Sequence, residues 1–214
     1  MNIFLTGGQR GIGCAVKTLA ENAGAIVVAP RRHDCDLLAH TSVSQYISTA
    51  LTDIPPFDAC VLNAHEWFAK PFADQSLSDL DTQWTYVKHH WLLMQHLLLH
   101  QYVRCVVVVA SLRGIIGGVN SGPYSMAKAA MVNMVLGFAR EYPGVRFHAV
   151  CPGLTATDME QEVRDTGGVS NPATQAQSPA CVAQIILGMI VGDERNTVVC
   201  INQGKKELAS WILQ

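Results

Sequence analysis

Ile3-Phe4-Leu5-Thr6-Gly7-Gly8-Gln9-Arg10-Gly11-Ile12-Gly13 is the stretch on which the fold turns. Residues 3–6 are a short apolar run, as a buried strand requires. The periodic apolar pattern over 13–22, closed by Gly24, predicts a helix. Between them lies a glycine turn with the spacing G-x-x-x-G-x-G. Glycine lets a backbone turn sharply and approach a ligand closely. The helix start behind it offers free N–H groups and a positive dipole end to a phosphate. A tight turn of this kind also occurs with no ligand. Its place after the first strand of an alternating chain is what favours the phosphate cradle.

Working outward, strand and helix signals alternate. Strands are expected over 25–29, 58–62, 104–110, 145–151 and finally 197–201. Helices are expected over 41–51, with Thr41 or Ser42 at the cap, over 77–101, with Ser78 and Asp81 as a capping box, and over 122–142 and 179–191. The continuous β-branched run Val106-Val107-Val108-Val109 suits a parallel strand covered on both faces. The pattern predicts an α/β fold, one doubly wound parallel sheet with helices on both faces, as a single domain over 1–214. Residues 158–178 read as a polar loop, and a lid over the site is the favoured role.

Composition narrows the functional classes. Hydrophobic residues make up 49% of the 214, enough for a large core. No apolar run is long enough to span a bilayer. The formal net charge of −2 carries no electrostatic footprint for nucleic acid. Seven scattered cysteines without a C-x-x-C indicate neither a disulfide framework nor a zinc site. The opening residues Met1-Asn2-Ile3-Phe4-Leu5-Thr6 lack the basic stretch and cleavage site of an export signal, so a cytoplasmic protein is expected. His96 and His100 have metal-ligand spacing on one helix, but nothing completes a shell, so no metal is expected.

The chemistry is concentrated in Tyr124-Ser125-Met126-Ala127-Lys128, with Ser111 at the end of the strand before it. Residues i and i+4 share a helix face, which puts a phenol beside an ammonium. A free tyrosine titrates near ~10. A nearby cation lowers that value, and a strand-end serine can orient the oxygen that takes the proton. Together they make an acid/base device for a carbonyl or an alcohol.

The stretch from Thr6 to Gly13, then Asn63-Ala64, Ser111, Tyr124 to Lys128 and Pro152-Gly153-Leu154-Thr155-Ala156-Thr157 occur in this order. Together they resemble the short-chain dehydrogenase/reductase family in its ordinary single-domain form. The resemblance implies a Rossmann-like sheet and a nicotinamide cofactor. Gly7, Gln9, Arg10, Gly11, Ile12 and Gly13 would form the pyrophosphate turn. Asn63 would steady the central strand and Ala64 would touch the adenosine ribose. Tyr124 would be the acid/base, Lys128 would hold the nicotinamide ribose and lower the Tyr124 pKa, and Ser111 would bind the substrate oxygen. Pro152, Gly153, Thr155 and Thr157 would hold the carboxamide. The reaction implied is hydride transfer to or from a carbonyl carbon of a small molecule, by a homodimer or homotetramer.

Three departures stand out. His65 replaces the glycine that family members usually carry after Asn63-Ala64. The usual relay asparagine is absent from Tyr86-Val87-Lys88-His89-His90-Trp91, where His89 or His90 could hold a water instead. Residues 31–57 leave room for only one short helix, so one strand–helix unit of the usual sheet is trimmed, between strands 2 and 4 of the family order. Ala29-Pro30-Arg31-Arg32 ends the second strand with guanidinium groups, and together with Arg10 these suit a 2′-phosphate, so NADP(H) is expected. Asp34 is the rival residue, which would favour NAD(H), while Asp36 would approach the adenine. The alternative function is a dinucleotide-binding regulatory or scaffold protein with little catalysis.

Overall fold

The computed structural model describes residues 1–51, 55–100, 102–167, 174–194 and 197–208. In chain order the elements are β1 (Asn2–Thr6), α1 (Gly11–Asn22), β2 (Ile26–Val28), α2 (His40–Ala50) and β3 (Ala59–Leu62). A 3₁₀ turn (Phe72–Asp74) leads to α3 (Leu77–Leu99), β4 (Cys105–Val109), α4 (Arg113–Ile116), α5 (Gly122–Glu141) and β5 (Arg146–Pro152). The chain closes with α6 (Asp158–Asp165), α7 (Pro179–Val191), β6 (Thr197–Asn202) and β7 (Lys205–Leu208).

The strands form one sheet in the order β2-β1-β3-β4-β5-β6-β7. All neighbours are parallel except β6 and β7. Each strand side chain faces the opposite side from the next, so two cores result. Phe4, Val106, Val108 and Phe147 meet Leu93, Met94, Leu97, Met131 and Val135 from α3 and α5 on one face. Ile3, Leu5, Val61 and Val107 meet Val16 and Ala20 of α1 and Ile186 and Ile190 of α7 on the other. Every residue of β4 is buried, which explains its unbroken β-branched run. No helix among the described residues is long and apolar enough to cross a membrane.

The expected trimming is present: α2 alone separates β2 from β3, and β2 is left as the edge of the sheet. Other expectations need correction. Two S-x-x-D frames overlap before α3, and the helix uses Ser76 with Asp79, not Ser78 with Asp81. Asp79 also receives Lys70 Nζ at 2.7 Å, a partner that fixes this frame. Neither Thr41 nor Ser42 caps α2, because Ser42 Oγ accepts the Asp36 N–H at 2.9 Å instead. Residues 158–165 form α6, so the expected loop begins with a helix, and 168–173 lie outside the described residues. Strand β6 is not the last: Gln203 and Gly204, with φ of 50° and 75°, turn the chain into antiparallel β7. Two successive positive φ values suit a tight hairpin.

Candidate active site

The carboxyl ends of β1, β3, β4 and β5 open onto a cavity of about 910 Å³. Ligands of open α/β sheets bind in this crevice. Gly7 begins the turn at φ +70°, and a Cβ there would lie 2.9 Å from the Ala64 Cα. A Cβ on Gly13 would run into the Gly7 carbonyl oxygen and lie 2.6 Å from Asn63 Nδ2. Gly13 therefore presses α1 against the strand ends and does not itself line the cavity, whereas Gly7, Gln9, Arg10, Gly11 and Ile12 do. Helix α1 starts at Arg10 with no side-chain cap and no acid in its first turn. Its N–H groups and dipole are left for an anion, and the residues fit a bound dinucleotide phosphate.

Thr6 ties this turn to its neighbours. Its hydroxyl accepts the backbone N–H groups of Asn63 at 2.9 Å and Ala64 at 3.1 Å. Asn63 Nδ2 returns hydrogen bonds to the Thr6 and Gly7 carbonyls at 3.2 and 3.1 Å. Asn63 thus braces β1 against β3. Having accepted twice, the Thr6 hydroxyl is free to donate to His90 Nε2, 3.2 Å away. That assignment leaves the proton on His90 Nδ1, a buried atom with no hydrogen-bond partner.

Tyr124 lies in the opening turns of α5, with Pro123 fixing the helix start. Its ring is buried but lines the cavity, as do Ser111 just past β4 and Lys128 one turn on. Lys128 Nζ donates to the Val109 carbonyl at 2.9 Å and sits 5.6 Å from the centroid of the Tyr124 ring. Burial pushes the phenol up to about 12, against a Ser111 hydrogen bond and the Arg113 guanidinium, which both pull it down. Burial pulls the Lys128 ammonium down to about 7. The depression of Tyr124 expected from Lys128 is therefore not what this geometry produces. The buried phenol answers to Ser111 and Arg113, which supply the opposing pull.

His65 also lines the cavity, edge-on to Tyr124 at 5.4 Å between centroids, with Nε2 2.9 Å from Gln83 Oε1. Burial holds its pKa well below the ordinary 6.5, so it faces the site as a neutral ring. Of the two relay candidates, His90 lies nearer the site: it meets Thr6 beside the glycine turn but does not line the cavity. Burial brings it down to about 3, with the Lys128 charge as the second cause. His89 points elsewhere, its Nδ1 2.9 Å from the Leu37 carbonyl and its ring stacked on His40.

At the outer end of the cavity, Arg32 and Asp36 line the wall. Arg31 is exposed and does not: its N–H is held by Asp34 in an external turn. Asp34 also stays outside the cavity. Arg32 Nη1 meets Glu66 Oε1 at 3.1 Å and its Nε lies 3.4 Å from Asp36 Oδ1. On the opposite wall, Pro152, Gly153, Thr155 and Thr157 follow β5. Thr155 is held by its hydroxyl bond to the Gly153 carbonyl at 3.0 Å. Two residues not anticipated from sequence are Glu66 and Trp67. The Trp67 ring stands edge-on to Tyr124 at 4.8 Å, and its Nε1 donates to Thr166 Oγ1 at 3.1 Å, just past α6. Their only signal was position, directly after Asn63-Ala64-His65. Among the described residues, no cluster of three or more His, Cys, Asp or Glu could hold a metal.

Comparison with known proteins agrees with this geometry. A family model described as enoyl-(acyl carrier protein) reductase matches residues 2–187. The cis-4-hydroxycyclohexanecarboxylate dehydrogenase of Sinomonas cyclohexanicum is 28% identical over 230 aligned positions, covering 91% of this chain and 90% of that protein. The fold resembles a 3-ketoacyl-(acyl-carrier-protein) reductase from Brucella melitensis complexed with NADH, with a TM-score of 0.82 at 17% identity over 95% of this chain and 97% of that one. It also resembles a short chain dehydrogenase from Burkholderia cenocepacia J2315 in complex with NADP, with a TM-score of 0.77 at 20% identity over 94% and 96%. With its sheet, its turn and a family match over most of its length, the chain belongs to the short-chain dehydrogenase/reductase family.

Proposed function

We propose that this protein catalyses NADP(H)-dependent interconversion of a carbonyl and a secondary alcohol, with Tyr124 as the acid/base. The observation that carries the reading is the convergence of Ser111, Tyr124 and Lys128 on a cavity that also holds the glycine turn. The glycine turn would hold the cofactor pyrophosphate, Lys128 the nicotinamide ribose, and Thr155 and Thr157 the carboxamide. Bound there, the dinucleotide supplies or accepts the hydride. Tyr124 gives its proton to the substrate oxygen in reduction and takes it back in oxidation. Ser111 donates a hydrogen bond to that oxygen and so orients it. Trp67 and His65 flank the Tyr124 ring and exclude water from the reacting face. His90 is our candidate for the relay position behind Lys128, supported by its buried, unpartnered Nδ1.

Arg32 and Arg10 on the cavity wall support a 2′-phosphate. One observation favours NAD(H) instead: Asp36 and Glu66 already engage Arg32, and either carboxylate could accept a ribose hydroxyl. Comparing kcat/KM for NADPH and NADH in wild type and Arg32→Ala decides between them. A fall confined to NADPH supports the phosphate reading. The exposed Trp84, Trp91 and Met126 of α3 and α5 support a homo-oligomer joined through these helices. Seven unpaired cysteines support a reducing cytoplasm.

The test of the acid/base is Tyr124→Phe, assayed with a panel of ketones, aldehydes and 3-oxoacyl thioesters. Loss of a positioned acid costs ~10²–10⁴ in rate, while cofactor affinity should stay near wild type. Wild-type kcat in the variant would remove Tyr124 from the role. A wild-type protein that binds cofactor and turns over none of the panel would favour the scaffold alternative.

A further inference from the structure

We propose that Cys151 and Cys200 form a modification site: a cross-strand dithiol that a hydroperoxide converts to an intramolecular disulfide behind the Ser111 and Lys128 end of the cavity. Strands β5 and β6 run parallel in a register that sets Cys151 directly opposite Cys200. Neighbouring strands lie about 4.8 Å apart, inside the Cα separation that a disulfide spans. Both residues belong to the core on the α3 and α5 face, and their thiols are hydrogen-bonded to each other. No other pair of strand cysteines has this arrangement among the described residues. Cys60 and Cys105 sit on adjacent strands but face opposite sides of the sheet.

The two thiols have different roles available to them. Cys151 is fully buried, while Cys200 is partly exposed. Their hydrogen bond holds Cys200 below the ordinary thiol value and raises Cys151, with Glu207 on β7 opposing weakly. Access makes Cys200 the attacking sulfur, and the direction of its shift agrees. It takes one oxygen from the hydroperoxide: an S–O bond forms, the O–O bond breaks, and the alcohol or water leaves. Cys151 then attacks the sulfenic acid. The S–S bond forms, the S–O bond breaks, and hydroxide departs with the Cys151 proton as water. Two thiols are oxidised by two electrons and one hydroperoxide is reduced.

The bridge would reach the active site because Cys151 immediately precedes Pro152-Gly153, and its sulfur accepts the Ser111 backbone N–H. Drawing that sulfur toward Cys200 takes a partner from Ser111. Directly opposite Cβ atoms on parallel strands are farther apart than a relaxed disulfide prefers, so the bond is strained and readily reduced.

The test is peroxide treatment of the full-length protein, followed by alkylation and peptide mapping. We expect loss of two of the seven free thiols, a mass lower by two hydrogens, and a linked peptide pair carrying Cys151 and Cys200. Dithiothreitol should restore both thiols. In Cys200→Ser the linked pair should be absent, with Cys151 still alkylated as a free thiol. If both cysteines are alkylated as free thiols while Cys14 and Cys181 oxidise, the proposal is overturned. The readout is covalent chemistry, so it stands or falls independently of the catalytic reading.

Discussion

Replacing Lys128 with methionine should stabilise the cofactor-free protein while destroying its activity. Lys128 is buried, and its pKa falls from 10.5 to about 7 in the fold. At about 1.4 kcal/mol for each pH unit, keeping this ammonium charged costs roughly 5 kcal/mol, of which roughly 4 still applies at pH 7. Methionine keeps the stem but loses the hydrogen bond to the Val109 carbonyl, worth about 2 kcal/mol for a charged donor. The net gain is about 2 kcal/mol, or ~4–8 °C in Tm for a chain of this size. The pH profile identifies the cause. The folded pKa is depressed, so the stability of the neutral lysine is complete above 10.5 and is lost as pH falls through about 7. The advantage of Lys128→Met should be greatest at pH 6–7, vanish at pH ~9, where the charging cost falls to the worth of the lost hydrogen bond, and reverse above it. Urea melts of both proteins at several pH values, at one protein concentration, measure this. A variant no more stable than wild type at pH 7, or an advantage that does not shrink with rising pH, would refute the reasoning.

Gly13→Ala should cost ~1–3 kcal/mol by overpacking and weaken cofactor binding, because the added methyl meets the Gly7 carbonyl and Asn63. A wild-type urea midpoint with unchanged cofactor titration would contradict this. Burial holds His90 at about 3, His148 at about 4 and His65 well below 6.5. The stability contributed by these neutral rings is complete above 6.5 and lost as pH falls toward 3, so urea midpoints should drop steadily below pH 6.5, and a flat profile counts against it. Ser76→Ala should cost about 1 kcal/mol through its cap, and Ser78→Ala close to nothing. The reverse ranking in thermal melts would overturn the Ser76 frame.

Tyr124, Lys128, Ser111 and the glycine turn were legible because their chemistry depends on spacing along the chain, which sequence displays directly. What was not legible depends on contacts between distant segments. Arg31 and Arg32 are identical on paper, and only the turn closed by Asp34 decides that Arg32 faces the cavity. The direction of the Lys128 effect could not be read either. Spacing predicts a helpful cation, but burial of the phenol itself decides the direction of its shift. The two overlapping S-x-x-D frames offered equal caps until Lys70 selected one. Glu66 engages a residue 34 positions away, and no local pattern announces it.

The trimmed sheet has a consequence for how copies of this protein can meet. An outermost strand is an invitation to a stranger, and here the trimmed end of the row is brief: β2 spans three residues. An incoming chain would find only a ladder rung or two at that margin, too few to outweigh the disorder it surrenders. Continuing the sheet from molecule to molecule past β2 is thereby discouraged. A sheet trimmed to end on β2 leaves that margin too short to recruit a fellow strand.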